Sequence, residues 1–339
     1  MSDNAAGVCP EVWRALEEAN RGHALPYGDD AWTARARDRL REVFERDCEV
    51  FFVFTGTAAN ALSLASLGGP DEGVVCHAFA HVEVGERGAT TFFGRGLSLL
   101  PVPGELGKLE PESVERSVAF QLARRGPRPR ALSVTQATEL GTVYTTDELT
   151  ALAASARRRG LRIHMDGARF ANAVVSLGRS PAELSWRAGV DVLSFGSTKN
   201  GGLMGEAVVF FERELAAGFA ERCKQAGQVG SKQRFVAASW LAMLENGTWL
   251  RHAAQANAMA RKLHDELFGL AGVKVLFPVE TNAVFAQFPG GTLAAVRELG
   301  WSVPGIFGDD SCRLMCGWNT SPDDVRAFVD GVRAVLARR

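Results

Sequence analysis

Short apolar runs alternate with amphipathic stretches over most of the 339-residue chain. Residues 50–55 (VFFVFT) are almost continuously apolar up to Gly56, as in a strand covered on both faces, and residues 58–67 then read as a helix. Further strands are predicted at 73–76, 97–102, 131–135, 162–165, 190–195 and 207–211. Thr145 stands three residues before Glu148, a capping-box start for a helix running to about residue 159, and another helix is predicted near 169–176. This alternation predicts an α/β large domain, with a mostly parallel sheet flanked by helices on both faces. After about residue 212 the pattern turns helical, with helices at 213–225, 233–245 and 248–268. The remainder reads β-β-α-β-α over 273–277, 283–288, 293–299, 312–316 and 322–336, a smaller α+β C-terminal domain. No Pro- or Ser-rich linker interrupts the chain. The expected division is a large domain over 15–245 and a small domain made of 1–14 and 246–339.

Composition narrows the function classes. With 38 basic and 39 acidic residues the net charge is −1, so the basic excess of a nucleic-acid or membrane-surface binder is missing. No apolar run approaches the roughly 18–20 residues of a bilayer span, and the first residues carry neither a basic nor an apolar leader region. The six cysteines form no C-x-x-C pair and are expected as reduced thiols of a cytoplasmic protein. Only six of the 38 basic residues are lysines: Lys108, Lys199, Lys224, Lys232, Lys262 and Lys274. Amine chemistry therefore has few possible addresses.

In an open parallel sheet, ligands bind at the carboxyl ends of the strands. Thr55-Gly56-Thr57-Ala58-Ala59-Asn60 follows the first strand and opens a helix, where free N–H groups and hydroxyls can cradle a phosphate. The segment also reads as an ordinary small-residue turn. Asp166 stands at another strand end, where it could equally cap the next helix. Lys199 follows a third strand, between Ser197-Thr198 and Gly201-Gly202. His77 and His81, with Glu83 and Glu86 nearby, have a spacing that suits zinc, but no third ligand is evident and no metal is expected. Together, a phosphate cradle, a strand-end aspartate and a strand-end lysine describe a pyridoxal phosphate site. The lysine would form a Schiff base, and the aspartate would keep the pyridine nitrogen protonated.

The segments HMDGARFANA (164–173), SFGSTKNGG (194–202), SDN (2–4) with PYGDD (26–30), and TGTAAN (55–60) resemble those of the low-specificity L-threonine aldolases. These belong to the β-eliminating lyase branch of fold-type-I pyridoxal-phosphate-dependent enzymes. The resemblance implies the fold-type-I transferase-like fold, pyridoxal 5'-phosphate as cofactor, and a carbon–carbon (aldehyde) lyase. Such an enzyme would cleave threonine, allo-threonine or phenylserine-like amino acids to glycine and an aldehyde. It implies Lys199 as the Schiff-base lysine, Asp166 as partner of the pyridinium, and Arg169 beside the phenolic oxygen and the substrate carboxylate. Gly56 and Thr57 would hold the phosphate, and His81 would stack on the ring, with His77 as its rival. Ser2 and Arg313 would bind the substrate carboxylate. Tyr27 and Arg234 would reach the cofactor or substrate of a neighbouring site, because the family's sites form between subunits of a dimer or a tetramer of dimers. Where many relatives carry a histidine, this chain has Thr138, so His81, Glu86 or a bound water are left as general base. A β-eliminating lyase or transaminase on the same scaffold, and a non-catalytic cofactor-binding protein, are the alternative readings.

Overall fold

The computed structural model describes residues 2–308 and 310–338. Its strands are β1 (Glu49–Val53), β2 (Glu72–His77), β3 (Ser98–Val102), β4 (Arg128–Thr135), β5 (Arg162–Gly167), β6 (Val192–Phe195), β7 (Glu206–Phe210), β8 (Lys274–Val275), β9 (Ala283–Gln287) and β10 (Ser311–Met315). The first seven form one sheet in the order β1-β7-β6-β5-β4-β2-β3, and the last three a small antiparallel sheet. Every pair from β6 to β3 is parallel. β7 runs against both β6 and β1, which returns β1 to the direction of β6. The carboxyl ends of six strands and the start of β7 therefore lie along one edge of the sheet.

Both faces of the large sheet are covered, which is why its strands carry the apolar runs seen in the sequence. Phe195 of β6 lies at the centre, with ring centroids at 5.8 Å from Phe44, 5.5 Å from Phe170, 4.9 Å from Trp240 and 5.3 Å from Trp249. Replacing Phe195 with alanine is expected to cost about 3–5 kcal/mol, read as a lowered urea midpoint. An unchanged midpoint would remove this cluster as the anchor of β6.

Several segments differ from the periodicity, among them the helix Pro111–Ala123 between β3 and β4, which the sequence pattern does not announce. Residues 213–225 are predicted as one helix, but Gly218 adopts φ +73° and divides them into a 3-10 turn, Arg213–Ala216, and a helix, Phe219–Gln225. The N-terminal region forms two helices outside the predicted alternation, Pro10–Ala19 and Ala31–Phe44. The second begins at Asp30, whose carboxylate accepts the Thr33 N–H at 2.8 Å.

A hydrophobic cluster running from Cys9 to Ala253 packs on one face of the large sheet, and another, from Val53 to Cys223, on the opposite face. A further cluster, from Met259 to Val335, lies under the small sheet. The helix Thr248–Phe268 contributes to the first and the last of these.

Candidate active site

The shared strand edge opens into a cavity of about 320 Å³. Thr55, Gly56 and Thr57 enter it after β1, where Thr55 caps the helix Gly56–Leu67 by accepting the Ala58 N–H at 3.1 Å. The partial positive charge of this helix end faces the cavity. Asp166, near the end of β5, is 3% exposed. Its Oδ1 accepts the Ala168 N–H at 3.0 Å and its Oδ2 accepts from Asn60 at 2.9 Å. Lys199 follows β6 in the turn Thr198–Asn200, which ends at Gly201 with φ +101°. Gly196 permits the tight approach beneath it, since a Cβ there would lie 2.8 Å from the Ala168 carbonyl.

The charges around Lys199 suit an amine nucleophile. The positive charge of Arg169, then burial, hold its ammonium below the usual lysine range, against the pull of Asp166, Asp3 and Glu139. Arg169 is itself engaged: its Nε donates to Asp3 Oδ2 at 2.7 Å and its Nη2 to Asp3 Oδ1 at 3.0 Å. Burial pushes the Asp3 carboxyl up, but Arg169 and the amide of Asn282 outweigh it and hold the group below its ordinary value. Glu206, at the start of β7, is buried and accepts the Ser197 N–H at 2.6 Å. It braces the Lys199 turn from below.

The two histidines separate cleanly. His77 Nε2 donates to the Gly104 carbonyl at 3.1 Å and its Nδ1 accepts the Phe79 N–H at 3.0 Å, so both ring nitrogens are occupied. His81 lines the cavity, with its Nδ1 3.0 Å from Glu86 Oε1. That bond raises His81 above its usual value despite partial burial, while burial pushes Glu86 up as well. The Thr138 hydroxyl is tied to Thr142 at 2.8 Å and to the Leu106 carbonyl at 3.3 Å. Its neighbour Glu139 lines the cavity, 4.0 Å from Arg313.

Arg313, on β10, brings the small sheet to this site and feels the charges of Arg169, Glu139 and Asp3. Ser2 precedes Asp3, and Asn4 lines the cavity. Tyr27 lies elsewhere: it is 53% exposed, borders a separate hollow with Arg37 and Gln233, and carries Lys224 Nζ 4.4 Å over its ring. Arg234 opens the helix Arg234–Leu244 and is not part of the cavity wall; its buried Nε has no partner among the described residues. Asp3 and Asn60 lie within the segments SDN and TGTAAN, which give neither a role; Glu206 and Asn282 carry no local signal as site residues.

His164, two positions before Asp166 on β5, is fully buried between the Ser133 and Ser194 hydroxyls, each at 3.0 Å. Burial lowers it from 6.5 to about 4. The unfolded chain therefore takes up a proton that the fold refuses as pH drops below 6.5, and this loss of stability is complete near pH 4. His164→Gln is expected to remove roughly 2–3 kcal/mol of that acid loss, seen by comparing urea midpoints at pH 7 and 4.5. An unchanged difference would show that His164 is not a source of the acid sensitivity.

Residues 1–289 match the family model of the β-eliminating lyases. A low-specificity L-threonine aldolase of a Pseudomonas species is 50% identical over 336 residues, covering 99% of this chain and 97% of that protein. One from Pseudomonas aeruginosa is 51% identical over 335 residues, with the same coverage. The structure of Leishmania major threonine aldolase superposes with a TM-score of 0.91 at 26% identity, covering 99% and 98% of the two chains. The chain belongs to the β-eliminating lyase family, within the branch of the low-specificity L-threonine aldolases.

Proposed function

We propose that this protein is a pyridoxal 5'-phosphate-dependent aldehyde-lyase that cleaves L-threonine, L-allo-threonine and related β-hydroxy-α-amino acids, such as phenylserine, to glycine and an aldehyde. One observation carries the reading. Lys199, Asp166 and the N-terminus of the helix Gly56–Leu67 meet around one cavity, in a chain half identical to low-specificity L-threonine aldolases.

The cavity fits the cofactor. It has a lysine amine held below its ordinary range, a carboxylate suited to a ring nitrogen, and a helix end suited to a phosphate. Lys199 would hold the aldehyde carbon, Asp166 the ring nitrogen, and Gly56 and Thr57 the phosphate. Arg169 would lie beside the phenolic oxygen, and His81 against the ring face. When bound, the cofactor supplies a protonated ring that accepts the electron pair released as a bond at the substrate α-carbon breaks.

The protein's own groups do the rest. Arg313 offers a fork for the substrate carboxylate, and Ser2 a hydroxyl. Together they would fix the substrate's carboxylate and so set which bond at the α-carbon is held for cleavage. His81, with Glu86 behind its Nδ1, takes the β-hydroxyl proton as that bond breaks and the aldehyde carbonyl forms. Lys199 Nζ returns a proton to the α-carbon, completing glycine. Glu139 keeps Arg313 in place from the cavity wall.

The assembly is a homodimer or a tetramer of dimers, with each site completed across the interface. The exposed Tyr27 supports this reading, as a group available to a second copy. The separate hydrophobic cluster from Met259 to Val335 supports the division into a large domain over 15–245 and a small one from 1–14 and 246–339, though Cys9, Val12, Trp249 and Ala253 pack with the larger cluster. All six cysteines are free and buried, as suits the cytoplasm. No described helix is long and apolar enough to cross a membrane.

The test is to incubate the purified protein with threonine and phenylserine diastereomers and assay glycine and each aldehyde. Equimolar glycine and aldehyde are expected. Pyruvate and ammonia in their place would assign a β-eliminating lyase.

A further inference from the structure

One buried amide links two acids. Asn60, on the helix Gly56–Leu67, is 3% exposed, and its Nδ2 donates to Glu86 Oε1 at 2.9 Å and to Asp166 Oδ2 at 2.9 Å. Glu86 Oε1 is also the atom bonded to His81 Nδ1 at 3.0 Å. Four side chains from three parts of the chain thus form a continuous hydrogen-bonded line, His81–Glu86–Asn60–Asp166. Both ends border the cavity.

The line is not explained by hydrogen-bond satisfaction. Asn60 Oδ1 and Glu86 Oε2 are buried without partners among the described residues. Two carboxylates gathered around one nitrogen repel each other, and burial strengthens the repulsion. A neutral amide holds them there because each acid takes one of its two N–H groups. The offsetting positive charge must then come from the ends. His81 supplies it at one end whenever it carries a proton, as it does after taking the one from the substrate; there it faces Glu86, Glu139 and Asp166. At the Asp166 end, Lys199 and Arg169 stand close, while the buried His164 is held neutral and adds no charge.

We propose that Asn60 is a positioning residue that couples the His81–Glu86 pair to Asp166, so that the proton on His81 and the proton on the cofactor's ring nitrogen are held as one linked unit. This rests on the cofactor reading above. Removing the His81 proton leaves the two acids less compensated and makes the ring nitrogen hold its own proton more tightly. Without the amide, the acids are free to separate and the linkage fades. The group that accepts the substrate's β-hydroxyl proton and the group that sustains the electron sink are thereby kept in step.

The test is a double-mutant cycle read by the pH titration of the bound cofactor's absorbance, not by turnover. In the holoprotein, His81→Phe is expected to move the titration midpoint by roughly one pH unit, a tenfold change in proton affinity. In an Asn60→Leu background the same substitution is expected to move it by less than about a third of that. Glu86→Gln removes the charge in the middle of the line while keeping its shape, and should suppress the His81 effect equally. It serves if Asn60→Leu does not fold. An equal His81→Phe shift with and without the Asn60 or Glu86 substitution would overturn the coupling, as would no shift at all in the otherwise unaltered protein. A cofactor band indifferent to Lys199→Ala would instead sink the cofactor reading, so the two failures are distinct.

Discussion

Lys199→Ala is expected to abolish the yellow absorbance of the cofactor-loaded protein and to lower glycine formation by roughly a hundred- to ten-thousand-fold or more. The reason is positional. Lys199 alone among the six lysines stands at the cavity, and Arg169 and burial keep its amine below the ordinary range. Alanine leaves the turn Thr198–Asn200 braced by Glu206, because that contact runs through the Ser197 backbone. The fold should therefore survive while the chemistry is lost. Far-ultraviolet circular dichroism and a urea midpoint near that of the parent protein would separate the two. Normal cleavage by the variant would remove Lys199 from the mechanism.

Asp166→Asn is expected to give a different failure. The side chain keeps its shape and can still accept the Ala168 N–H, but the negative charge beside the ring nitrogen is gone. Breaking one half of a buried charge pair costs about 3–5 kcal/mol, which as a barrier is roughly a hundred- to several-thousand-fold in rate. Lys199 is untouched, so the absorbance should persist while kcat/KM collapses. A kcat/KM within tenfold of the parent value would show that Asp166 does not sustain the electron sink. The contrast between a colourless variant and a coloured, slow one tests the two assignments independently.

The sheet and its address for chemistry were readable because burial on both faces leaves a plain trace. VFFVFT and VDVLSF are apolar runs too short for helices, and Asp166 and Lys199 are polar exceptions at strand ends. The helix Ala31–Phe44 was not readable in the same way. It buries only Thr33, Ala36, Leu40 and Phe44, a narrow stripe in a segment crowded with charge. At residues 213–225 the helical composition hid one left-handed glycine.

Among the site residues, spacing could not choose between His77 and His81. In the structure both nitrogens of His77 are occupied, whereas His81 lines the cavity. Asp3 and Asn282, 279 positions apart, meet only because the chain's first residues are folded against the small domain. No local pattern announces such a pair. The loss of histidine at position 138 was visible in the sequence. What the threonine does instead was not, since its hydroxyl is spent on Thr142 and Leu106.

The antiparallel return of β7 bears on how the protein is made. β1 pairs only with β7, from Glu49 opposite Phe210 to Val53 opposite Glu206. During synthesis, its apolar VFFV segment must wait for more than 150 further residues to emerge before it gains a neighbour. Chains stalled or cut before residue 206 carry that segment unpaired, as a ready nucleus for aggregation. Expression at lower temperature, or with holdase chaperones, should therefore raise the soluble yield more than stabilising the finished enzyme does.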